Sequence, residues 1–252
     1  MDARWYGDDM RSLLLTTIVT VGAVAVGMNI GFGSPALTSS QDAVEPPLPT
    51  TGVLVYRING PEGPVPSRLT VLKPDVDLVA LGGPFGDRHA VREDVCYAMD
   101  GTGELVLPAG VCEILASRGI EWTLDRRRVE IPAGGRVDLT LEIAPAVDTT
   151  GMVGGDFHLH TLTHSGHGDS NMPERIVSLL GEGVDFAVAT DHNRNIDYRP
   201  TIDSLGAGDH ITSMVGNEVS TPAGHFNAFP LDPARPPVPS RLSAAPPLFG
   251  LL

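Results

Sequence analysis

Over residues 52–143 apolar and polar side chains alternate in runs too short for helices. The segments 52–58, 69–72, 104–107, 111–116, 128–131 and 136–143 are β-branched or alternating, and Gly, Pro and Asp bound them. In the last segment Arg136, Asp138 and Thr140 interleave with Val137, Leu139 and Leu141, which gives one wet face and one dry face. Short strands at this spacing predict a small antiparallel β-sandwich, assigned here to residues 52–148.

The pattern then changes. Residues 155–160, Gly-Asp-Phe-His-Leu-His, predict a strand ending in two imidazoles on one face. A polar loop runs to Asn171, and Met172-Pro173 opens a helix. Pro173 suits the first helical position, Glu174 complements the dipole, Ile176, Val177, Leu179 and Leu180 form an apolar stripe, and Gly183 ends it. Residues 184–190 are almost unbroken apolar, as in a parallel strand covered on both faces. Strand, helix and strand of these lengths predict a βαβ unit. The runs 211–215 and 225–229 are the next expected strands.

Chemistry-bearing residues gather at the ends of these runs. His158 and His160 close the first, Asp191, His192 and Asn193 follow the second, Glu218 follows the third and His225 opens the fourth. A His-x-His pair alone suits packing or mutual hydrogen bonding as well as it suits a metal. Polar groups collected at the carboxyl ends of parallel strands favour ligation, because the catalytic face of a barrel is built there. Asp169 is the acidic candidate of the loop after His160, with His164 and His167 as rivals whose ordinary role is that of loop residues. Asp191 also suits a cap on the turn that follows it. Arg194, Tyr198 and Arg199 lie in the loop after His192, within chain reach of an anion; solvation is the ordinary role of each.

Composition narrows the partners. The hydrophobic content of 42% supports a globular core. A formal net charge of −14, with 17 Lys and Arg spread along the chain, argues against a nucleic-acid surface. Most of that acidity reads as a solvated surface, so a small anionic substrate would need local cations, which metal ions supply. Residues 12–32 are uncharged, long enough to cross a bilayer, and make 1–36 a membrane anchor or signal sequence. The remainder is then expected outside the cytoplasm, anchored or secreted. Residues 37–51 read as a proline-rich linker and 232–252 as an irregular proline-rich tail. Cys96 and Cys112 fit either a disulfide or two buried thiols, and His89 sits in a Gly-rich stretch read as a solvated loop.

Leu107-Pro108-Ala109-Gly110 with the apolar run after it, then Arg118 to Trp122, resembles the carboxypeptidase regulatory-like or transthyretin-like sandwiches that often precede exported hydrolases. The blocks Asp156 to Thr161, Val188 to Asn193, Gly216-Asn217-Glu218 and Gly224 to Asn227 together resemble the polymerase and histidinol phosphatase (PHP) family, closest to exported carbaryl-hydrolase-type metallohydrolases. That resemblance implies an α/β fold: a partial, distorted (β/α)7 barrel over 149–231, preceded by the sandwich and the N-terminal helix. It implies two or three divalent ions, Zn, Mn or Fe, held by His158, His160, Asp169, His192, Glu218 and His225. Asp191 and Asn193 would orient the imidazoles. The implied activity is phosphoester hydrolysis by metal-activated water, with carboxylic esters or carbamates as the alternative substrates.

The chain departs from that pattern after Leu231, where the later blocks of such a barrel have no counterpart. A fragment, a degraded relative or a barrel completed by another chain would each account for this. A non-catalytic exported protein that retains metal or ligand binding is therefore the competing expectation.

Overall fold

The computed structural model describes residues 50–74 and 78–241. The expected anchor at residues 12–32 lies outside them; among the described residues no helix is long and apolar enough to cross a membrane.

Nine strands come first: β1 Thr51–Gly60, β2 Gly63–Pro64, β3 Ser67–Leu72, β4 His89–Arg92, β5 Val95–Ala98, β6 Thr102–Pro108, β7 Gly110–Ser117, β8 Asp125–Ile131 and β9 Arg136–Glu142. They form two sheets. In one, β1 lies between β6 and β9, with β2 paired to its end; the other has the order β4-β5-β3-β7-β8. Period-two alternation decides which side chains meet between the sheets. Leu54, Tyr56 and Ile58 of β1, Leu105 and Leu107 of β6 and Leu141 of β9 face Leu69, Val71, Cys96, Ile114 and Ala116 across a single core. The sandwich differs from the expected antiparallel one at a single seam, where β1 and β9 run parallel.

Cys96 and Cys112 are both free and buried. Leu69 of β3 pairs with Cys96 on one side, and β7 flanks β3 on the other, so a whole strand separates the two thiols. Two inter-strand steps of about 4.8 Å exceed the Cα separation a disulfide spans. His89, expected in a loop, begins β4, whose short hairpin with β5 turns at Glu93 in the left-handed region, φ 50°.

The second half contains β10 Gly155–Leu159, α1 Leu162–Ser165, α2 Met172–Gly181, β11 Phe186–Ala189, α3 Arg199–Leu205, β12 Thr212–Val215, β13 Asn217–Thr221 and β14 Gly224–Ala228. Strands β10, β11 and β12 form a parallel sheet in that order. Asn171 caps α2 in a reciprocal box with Glu174, and Ile176, Val177 and Leu180 are fully buried. Helix α2 packs between this sheet and the outer face of the sandwich. There Arg92 of β4 holds Glu174 through two bonds of 3.0 and 2.9 Å, and Tyr97 of β5 bonds Glu182 at 2.8 Å.

The expected (β/α)7 barrel of PHP type is not formed. Its parallel sheet stops at three strands among the described residues, and the chain then makes an antiparallel hairpin, β13 with β14. The reason is connection length. Only Pro222 and Ala223 separate these strands, whereas a parallel crossover takes a dozen residues or more. The fold class is a β-sandwich with a small parallel α/β layer and a hairpin packed beside it.

Candidate metal centre

The C-terminal ends of β10 and β11 are stapled together. Thr190 accepts from the Leu159 backbone N–H at 2.7 Å and donates to the Leu159 carbonyl at 2.9 Å. His160 and His192 follow these staples, and their rings stack with centroids 4.6 Å apart and planes 18° apart. Strand β10 is irregular between Asp156 and Leu159. His158 nevertheless remains beside His160, with ring centroids at 5.0 Å.

Glu218 arrives by a close crossing. A Cβ on Gly216 would stand 2.7 Å from the Ala189 carbonyl oxygen and 2.9 Å from Val188 Cγ1, so only glycine lets the chain pass over β11 there. Beyond it β13 docks on the His192 loop, with Asn193 donating its backbone N–H to the Glu218 carbonyl at 3.0 Å. The hairpin then returns His225, through β14, to the face that carries Glu218.

Four imidazoles meet this one carboxylate. Oε2 of Glu218 lies 2.9 Å from His160 Nε2, 3.1 Å from His158 Nε2 and 3.4 Å from His192 Nδ1, and Oε1 lies 2.7 Å from His225 Nδ1. Ligand atoms about 2.1 Å from a shared ion stand about 3.0 to 3.4 Å apart in octahedral or tetrahedral arrangement. The donor set therefore fits a divalent cation. Three overlapping triads qualify: His158, His160 and Glu218; His192, Glu218 and His225; and His160, His167 and His192.

The electrostatics favour the ligating forms. Burial lowers the pKa of His160 and of His192, and neighbouring imidazoles lower it further against the pull of Glu218. Burial would raise the Glu218 pKa, but hydrogen bonds with His158 and His225 and the charge of the ring of imidazoles hold it below the ordinary value. The Glu218 side chain is 5% exposed, while His158 and His225 are 56% and 55% exposed, so the cluster has a floor and an open mouth.

The structure brings together His158, His160, His192, Glu218 and His225 and leaves out Asp169. Asp169 is an exposed carboxylate beside Arg92, 3.6 Å away. His167 takes that side of the cluster, its ring 5.2 Å from His160 and 4.9 Å from His192. Asp191 is fully buried. It accepts from the Thr161 N–H and hydroxyl, the Ser165 hydroxyl and the Tyr198 phenol. Burial first and the charge of Asp191 second push the Tyr198 phenol far up, which keeps it a donor and withdraws it from any anion outside. Asn193 holds a left-handed backbone, φ 56°, and accepts the Ser220 N–H at 3.0 Å, while Ser220 Oγ sits 2.8 Å from His192 Nδ1. Sequence reasoning missed Ser165 and Ser220. Ser220 was within reach of it, because it lies two positions from Glu218 on the same strand face.

No family model matches the chain, and no curated protein matches it. Among solved structures it is similar to a DUF3823 family protein from Parabacteroides merdae, with 15% identity over 38% of this chain and 47% of that one, at a TM-score of 0.28. It is also similar to the Bacillus anthracis TIE protein, with 17% identity over 42% of this chain and 17% of that one, again at 0.28. The chain thus spans less than half of either, and scores of this size transfer neither fold nor activity. The PHP resemblance is corrected by the fold: among the described residues the parallel sheet has three strands and no (β/α)7 barrel forms. What stands is the side-chain cluster itself.

Proposed function

We propose that this chain is a divalent-metal protein whose open centre hydrolyses a small anionic ester, a phosphoester in the first instance. The observation that carries the reading is the convergence of four imidazoles, from three separate segments, on one buried carboxylate supplied by a fourth. A surface salt-bridge network needs no such floor, and a purely structural site closes its coordination shell. Here His158 and His225 are more than half exposed, which leaves an approach for water and substrate.

His158, His160, His192, His225 and Glu218 would hold the cation, with His167 at the edge of the cluster. Imidazole and carboxylate donors suit Zn, Mn or Fe. A bound ion supplies an acidified water and a positive charge for the ester oxygen. The chain supplies the rest: Glu218 fixes the imidazoles around one point, and the stapled ends of β10 and β11 keep His160 and His192 from parting. An anionic substrate fits a protein of net charge −14 only where a local cation offsets repulsion, and the centre provides that place.

The test is metal content of the purified chain and its turnover of p-nitrophenyl phosphate, with His160→Ala as the control. Bound metal with turnover that vanishes in the variant supports the proposal. Metal retained without turnover of phosphate, carboxylic or carbamate esters reduces it to a binding site, and a metal-free chain after loading with zinc, manganese and iron refutes it.

A further inference from the structure

We propose that the centre takes aryl esters, and that Phe157, Phe186 and Phe229 form the wall that holds the aromatic leaving group. The inference rests on the hydrolase reading for its reaction, whereas the wall is built by the chain alone.

The rings share a face with the imidazoles. On β11, Ala187 and Ala189 enter the core beneath α2, so alternation turns Phe186 to the opposite side of the parallel sheet. On β10, Asp156 and Leu159 both line the cavity against Arg175, Ser178 and Leu179 of α2. They are three positions apart and the strand is irregular between them, which turns two successive residues, Phe157 and His158, away from the helix. His158 there meets Glu218, and the Phe157 ring meets those of Phe186 and Phe229, with centroids 5.8 Å away in each case. A Cβ on Gly155 would crowd Phe157 Cε2 at 3.1 Å, so the glycine leaves that ring its place.

The hairpin continues the surface. Asn227 pairs with Glu218 across it, and directly opposite residues share a face. From that position Asn227 Nδ2 donates to the Phe157 carbonyl at 3.3 Å. Phe229 lies two residues beyond Asn227, about 7 Å along the chain. An ester held at the mouth between His158 and His225 therefore reaches the rings with a group joined directly to its oxygen.

The nature of the wall selects that group. Phe157 is 50% and Phe229 40% exposed. Single exposed apolar residues call for no explanation, but three rings joined through Phe157 and continuous with a polar mouth make a patch. Phenyl rings offer edges and faces on which another ring stacks, and no hydrogen bond, so they recognise a flat apolar group. In the reaction water adds to phosphorus, the bond from phosphorus to the aryl oxygen breaks, and that oxygen leaves as a phenol with one proton of the water.

The experiment has two arms. In the first, the metal-free full chain carrying 13C-labelled phenylalanine is titrated with phenol and followed by NMR; the ring signals of Phe157 and Phe229 should shift. In the second, calorimetry of the zinc-loaded chain compares phenylphosphonate with methylphosphonate, neither of which is hydrolysed. Phenylphosphonate should bind more tightly, and the preference should fall about 2- to 10-fold in each of Phe157→Ala and Phe229→Ala. Equal affinity for the two phosphonates in the wild type, or a phenol titration that leaves both rings unmoved, overturns the inference without any variant. A wild-type dimer that either substitution makes monomeric also overturns it, because the rings would then be covered by a second copy. If the chain takes up no metal or turns over no ester, the hydrolase reading fails, and the phenol titration still decides whether the wall holds an aromatic ring.

Discussion

The sandwich and the strand-end cluster fill their buried positions in opposite ways. Between the sheets Leu54, Ile58, Leu69, Leu105, Ile114 and Leu141 are fully buried, and they need only volume and shape. At the ends of β10, β11 and β12 the buried residues are Thr161, Thr190, Asp191, Asn217 and Glu218, each of which is costly without partners. Most of these polar groups satisfy one another: Asp191 has four donors, and Thr190 both gives and takes at Leu159. Asn217 leaves its Oδ1 without a partner, and Glu218 has more imidazoles around it than a carboxylate in a core requires. The difference teaches that one half buries shape and volume, while the other buries polar groups whose arrangement suits the proposed metal centre.

The largest effect that can break this division lies in the sandwich. Leu54→Ala should cost about 2–5 kcal/mol of unfolding free energy, while the folded fraction keeps its metal affinity. Denaturant unfolding followed by zinc titration of the folded variant measures both; a large loss of affinity would show that the halves are not separate in function. Next in size is Glu218→Gln, which removes the charge and one ligand but little volume. It should weaken zinc binding by about 100-fold or more, near 2.7 kcal/mol, yet move the metal-free unfolding midpoint little. A variant that binds zinc as the wild type does would mean that the imidazoles hold the ion without their floor.

Much of this contrast was legible in the sequence. Alternation is local, so β1, β6, β7 and β9 could be drawn from their own residues, and the capped stripe of α2 likewise. Pairing partners are not local, which is why the parallel seam between β1 and β9 was invisible. The hairpin of β4 and β5 escaped because four-residue strands flanking Glu93-Asp94 carry too little pattern to stand out. Among candidate ligands, His158, His160, His192, Glu218 and His225 were found from their places at strand ends. Asp169 was preferred to His167 because acidity was weighed and loop direction was not; Arg92, 82 positions from Glu174 along the chain, draws that acidic stretch toward the sandwich. The barrel was expected because 211–215 and 225–229 read as successive strands nine residues apart. The strand Asn217–Thr221 went unread, and only its presence leaves the two-residue loop before β14 that dictates a hairpin.

The smallest effect expected concerns the seam that joins the halves. Arg92 bonds Glu174 with both its terminal nitrogens, and this hydrogen bonding holds the Glu174 pKa below its ordinary value despite partial burial. A carboxylate with a depressed folded-state pKa contributes its stability in full above the unfolded value and loses it as pH falls through the folded one. The contribution should therefore be present at neutral pH and fade below about pH 4.3, the ordinary glutamate value. Arg92 is 41% exposed, so screening limits its size to about 0.5–1 kcal/mol. Arg92→Leu should remove that amount at pH 7 and flatten the acid limb of the stability curve. Unfolding free energies of wild type and variant between neutral pH and the carboxylate range provide the measurement. Because Arg92 touches α2 and not the imidazoles, zinc affinity at pH 7 should stay as it was; a parallel drop would place the sandwich inside the working site instead of beneath it.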